Sequence, residues 1–109
     1  MEFCLVEYRP LLPHQPPDAK APIILLALQD SDSLQIFIEP RWETYVEGGD
    51  KEYISELISD LRARAILQPN ELFRQLGALS LHPLRTRARG DASTAGDEIT
   101  NLKAQFVEL

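Results

Sequence analysis

Residues 23–39 read IILLALQDSDSLQIFIE. The first six are apolar without a break, too short for a helix and rich in branched side chains, as in a strand covered on both faces. Asp30, Ser31, Asp32 and Ser33 come next, short polar residues whose side chains bond their own backbone in turns. From Leu34 to Glu39 the polarity alternates, which points Leu34, Ile36 and Ile38 inward and Phe37, flanked by Gln35 and Glu39, outward. Two such runs around a turn cluster predict a β-hairpin over 23–39.

Residues 2–8 form a further strand with apolar groups on both faces: Phe3 and Leu5 on one, Cys4, Val6 and Tyr8 on the other. Residues 9–22 hold Pro10, Pro13, Pro16, Pro17 and Pro22, which deny a regular ladder and predict an extended surface connection. Pro40 ends the hairpin's second strand, and Gly48-Gly49 breaks the stretch after it. Asp50 fits an N-cap for a helix with the stripe Ile54, Leu57, Ile58, Leu61. A second helix starts at Pro69, uses Leu72, Phe73 and Leu76, and stops at Gly77. Residues 79–89 contain a strand that Pro83 interrupts or places at an edge, and 90–96 read as a flexible loop. Ile99, Leu102, Phe106 and Leu109 predict a last helix ending with the chain. The expectation is one α+β domain over 1–109, in the order β-β-β-α-α-β-α, with a mainly antiparallel sheet of three to four strands and two or three helices.

Composition bounds the function. With 109 residues, 44% of them hydrophobic and 26% charged, the chain can hold an ordinary core without metal or disulfide. A formal charge of −6 opposes attraction to nucleic acid and to anionic membrane surfaces. No apolar run approaches the ~20 residues of a membrane span. A lone cysteine, Cys4, and an opening that lacks the basic start and apolar stretch of a secretory signal lead us to expect a reducing, cytoplasmic setting. No cofactor signature is legible. Apolar groups on both sheet faces, against few helical residues, predict self-association as a homodimer through a sheet face or edge.

The charge is uneven. Residues 1–61 carry 4 basic and 12 acidic groups, 62–89 carry 6 and 1, and 90–109 carry 1 and 4. In the acidic part, Trp42 and Tyr45 with Glu39, Glu43 and Glu47 form a candidate surface for a basic protein partner, since such aromatics often anchor interfaces. That makes a non-catalytic interaction domain the preferred reading. The bland account is that these aromatics pack on their own domain.

A rival reading is anion or nucleic-acid binding through Arg74, Arg85, Arg87 and Arg89, the last three sharing one face if their stretch is extended. Against it, these arginines neutralise the acidic half, in surface pairs each worth ~0–1 kcal/mol. A third reading is a small enzyme using carboxylates such as Glu52, Glu56 and Asp60, or His82. Cys4 inside an apolar strand is a poor nucleophile. Metal ligation finds only isolated His14, His82 and Cys4, and Asp30-Ser31-Asp32-Ser33 lacks the rest of a calcium loop. Arg89-Gly90-Asp91 spells a cell-adhesion tripeptide, a three-letter match that carries little weight.

Overall fold

The computed structural model describes residues 1–10 and 21–109. Strands β1 (Glu2–Tyr8), β2 (Ile23–Asp30) and β3 (Ser33–Ile38) lead into a one-turn helix α1 (Trp42–Tyr45) and a 3-10 turn at Gly48–Asp50. Helices α2 (Lys51–Leu67) and α3 (Pro69–Leu76) come next, then β4 (Ser80–Leu81), β5 (Leu84–Asp91), α4 (Ala92–Gln105) and β6 (Val107–Glu108). The strands form one antiparallel sheet in the order β4-β5-β1-β2-β3-β6. The α+β class and antiparallel pairing stand, but among the described residues the sheet has six strands rather than three or four, and four helices rather than two or three accompany it. The missed elements are β4 and β6, two residues each, and the single turn α1, all too short to leave a periodicity.

The hairpin of β2 and β3 pairs Leu25 with Ile38 and Asp30 with Ser33, closing on a two-residue turn in which Ser31 takes φ +56°. The helical stripe is also as read: Ile54 and Leu61 are buried, with Leu57 and Ile58 partly so. Asp50, however, caps nothing with its side chain. Its carboxylate accepts the Tyr8 hydroxyl at 2.6 Å, and that oxygen accepts the Glu47 amide at 3.0 Å, tying the end of β1 to the entry of α2. Burial, and then the bond to Asp50, push the Tyr8 phenol up to about 12.

Each face of the sheet carries its own core. Under α2 and α3 lie Cys4, Val6, Tyr8, Ala27, Ile36 and Ile38; under α4 lie Phe3, Leu5, Leu26, Leu28 and Phe37 with Ile99 and Phe106. Phe37 therefore faces a second interior, not solvent. The bare face that motivated the dimer is covered by α4, so pairing copies through it loses its physical reason.

That helix differs from expectation at both ends. Gly90 and Asp91 belong to β5, and residues 92–96, expected as loop, already form its first turn, capped by Asp91 accepting from the Ser93 amide at 2.8 Å. Gly96, at φ +46° and ψ −112°, kinks the helix. The chain leaves it after Gln105 and adds β6 beside β3, with the Leu109 amide bonded to the Ile36 carbonyl. Of the proline-rich connection, residues 11–20 lie outside the described ones.

Two irregularities direct side chains. The pairs Val6–Leu25 and Glu7–Ile23 leave Ile24 as an extra residue on β2, so Ile24 and Leu25 both join the core under α2 and α3. The pairs Leu5–Ala88 and Val6–Thr86 leave Arg87 extra on β5. An unpaired extra residue shifts the in-out alternation of every later residue on its strand.

Candidate functional site

The shift at Arg87 decides where the basic segment points. Directly paired residues share a face, so Arg85 lies with Glu7 on the α4 side, whereas Arg89 lies with Cys4 on the α3 side. Arg85, Arg87 and Arg89 therefore do not share one face, although their stretch is extended. Arg85 donates from Nε and Nη2 to Glu7 Oε1 at 3.0 and 2.7 Å, and Glu7 is 3% exposed. Arg87 donates to the Ala21 carbonyl at 3.2 Å. Arg85 is thus held by a carboxylate and Arg87 by a backbone carbonyl, both within the molecule.

Arg89 has a different setting. Its side chain lies across Gly77, just past α3, where a Cβ would meet Arg89 Cδ and Nη1 at 3.4 Å. A cation is favoured at a helix C-terminus, which helps hold it there. Arg74, from the last turn of α3, reaches the same groove, and the two guanidinium-bearing residues line a recess of ≈ 550 Å³. Phe3 and Phe73 supply its apolar lining, and Gly77 and Gly90 line it as well; a Cβ on Gly90 would crowd the Phe3 ring at 3.3 Å.

Asn70 and Gln29 form the far wall. The Gln29 amide donates to Asn70, which donates to Asp32 Oδ1 at 3.4 Å, fastening the hairpin tip to the start of α3. Among the described residues Glu2 is the one carboxylate lining the groove. Among the described residues neither Arg74 nor Arg89 makes an ion pair. Cys4 lies close to Arg89, but burial outweighs the nearby cation and pushes its thiol up to about 12, and its Sγ donates to the Leu76 carbonyl at 3.0 Å.

The chain matches no protein family, no curated protein and no solved structure. Its own residues therefore carry the functional reading.

The acidic and aromatic surface is reduced by the fold. Glu39 is 6% exposed and accepts from the Arg41 backbone amide and Nε, so it stabilises a turn instead of presenting charge. Trp42 packs partly buried on the core, leaving Tyr45, Glu43 and Glu47 exposed. His82 is exposed beside the β4–β5 turn, and Glu52, Glu56 and Asp60 are exposed on α2; none of the four lines the groove. His14 lies outside the described residues, among which no three His, Cys, Asp or Glu side chains gather as metal ligands. Among the described residues no helix is long and apolar enough to cross a membrane.

Convergence of Arg74 and Arg89, fifteen positions apart, was not legible in the sequence. Strand alternation assigned Arg89 to the face of Arg85, and only the extra residue reverses that. The glycines at 77 and 90 were readable as breaks, not as the floor of a recess.

Proposed function

We propose that the protein is a non-catalytic interaction domain whose groove between α3 and strands β1 and β5 receives an oxyanion group, phosphate or carboxylate, carried by its partner. The observation that carries this reading is that Arg74 and Arg89, from separate elements, line one groove with no carboxylate paired to either among the described residues. Guanidinium forks match both oxyanions in geometry. The overall charge of −6 favours a compact anionic group over a long polyanion, whose repulsion from the acidic surface would accumulate. A reducing, cytoplasmic setting fits the single buried thiol of Cys4.

The test is calorimetric titration with a phosphoserine peptide and with the same peptide carrying glutamate at that position. Binding should weaken as salt rises, and Arg74→Ala or Arg89→Ala should each lower affinity about tenfold or more, since hydrogen bonds to charged groups contribute ~1.5–3 kcal/mol. Arg62→Ala, an exposed change on α2 away from the groove, should leave affinity within about twofold at the same salt. Equal losses in all three variants, or no saturable binding to either peptide, refute the reading.

A further inference from the structure

A second recess lies between the sheet and α2–α3, and it shares no lining residue with the groove. Its volume is ≈ 230 Å³, and its walls are mostly aliphatic, with Ile24 and Leu25 from β2, Ile54, Leu57 and Ile58 from α2, and Leu84 from β5, beside the phenol of Tyr53. Interiors normally fill such spaces, and the shift at Ile24 that turns two consecutive side chains to this face helps shape the wall. The nitrogen-bearing polar groups that line it are Arg64 of α2 and Gln75 of α3, joined by a hydrogen bond from the guanidinium to the Gln75 side-chain oxygen.

Arg64 is not consumed there. Its other contact, to Asp60 one turn earlier, is 3.5 Å long and the Asp60 side chain is 56% exposed, so that pair is weak and yields readily to a better-placed carboxylate. A guanidinium has five N–H donors, and these two partners leave several over. The recess is thus apolar along its length and cationic at one place.

We propose that this cavity binds a small amphiphilic acid, with an alkyl or aryl body among Leu25, Ile54 and Leu57 and its carboxylate on Arg64. An apolar cavity of about 150 Å³ accepts benzene, so in proportion this one has room for a body of about nine non-hydrogen atoms. Octanoate, whose seven-carbon body (roughly the size allowed) ends in a carboxylate, fits within that room.

The experiment titrates the full chain with octanoate, 1-octanol and octylammonium, read by calorimetry and by NMR contacts between ligand and protein methyl groups. Octanoate should bind with contacts to Ile54 and Leu25, and about tenfold tighter than 1-octanol, a ratio that the charge-assisted contact accounts for. Octylammonium should bind weakest. Arg64→Gln should erase the preference for octanoate while leaving 1-octanol unchanged, and Leu57→Phe, which fills the recess, should weaken all three. Should Leu57→Phe fail to fold, the contacts in the unaltered protein decide the position alone. Absence of saturable binding, contacts elsewhere on the surface, or 1-octanol matching octanoate overturns the proposal.

Discussion

The thiol of Cys4 offers a sharp test of the sheet. Cys4 lies on β1 between β2 and β5, is fully buried, and donates to the Leu76 carbonyl at the end of α3. Burial raises it from the ordinary 9.0 to about 12, with Arg89 only partly offsetting the effect. Thiolate is the reactive form, so at pH 8 an ordinary thiol is about one-tenth ionised and Cys4 about one part in ten thousand. Alkylation should therefore be about a thousandfold slower in the folded protein than in urea, before steric exclusion slows it further. The assay adds iodoacetamide at pH 8 and monitors the mass of the intact chain with time, folded and denatured. A folded-state rate within tenfold of the denatured one refutes the placement of β1 at the centre of the sheet, and with it the argument that this thiol performs no nucleophilic chemistry.

Alkali should unfold the protein from the same cause. Folded Cys4 and Tyr8 keep their protons to about 12, while the unfolded chain releases them near 9.0 and 10.0, so their contribution is full below pH 9 and is lost as pH rises toward 12. Urea midpoints should fall over that window, with Cys4 alone contributing a slope near 1.4 kcal/mol per pH unit at most (about one pKa unit of free energy), and Cys4→Ala should flatten the profile. Arg85→Ala should cost about 2 kcal/mol by chemical denaturation, because the buried Glu7 carboxylate loses its two-nitrogen partner. Leu26→Ala, at a fully buried position between the sheet and α4, should cost about 3 kcal/mol. Gly96→Ala should cost about 1 kcal/mol, since φ +46° with ψ −112° is strained for any residue with a Cβ.

Strong local patterns were legible in this sequence, and features set by partners elsewhere were not. Residues 23–39 carry a turn cluster between two apolar runs, and Ile54 to Leu61 carry a helical stripe, so each announces itself within one window. Ser80–Leu81 and Val107–Glu108 are strands only because β5 and β3 lie alongside them. Alternation turns Phe37 outward without saying whether that face is covered; α4, far along the chain, covers it. Residues 62–89 concentrate 6 arginines against 1 acidic residue. Which of them meet depends on a pairing shift against β1, and nothing in the composition of Leu84–Asp91 signals it.

The unpaired Arg87 sets the parity of β5. Thr86 and Arg89 both look toward α3 although three positions separate them, an odd count that a regular pleat would send to opposite sides. A chain shortened by that single residue would restore an even count and aim the same two side chains the same way. Length variation at this one place is thus silent for the recess, whereas flattening Arg87 into the ladder at unchanged length would turn Arg89 over toward α4. The orientation of a cation here belongs to the backbone's phase, and a position-by-position comparison of residue identities would overlook it.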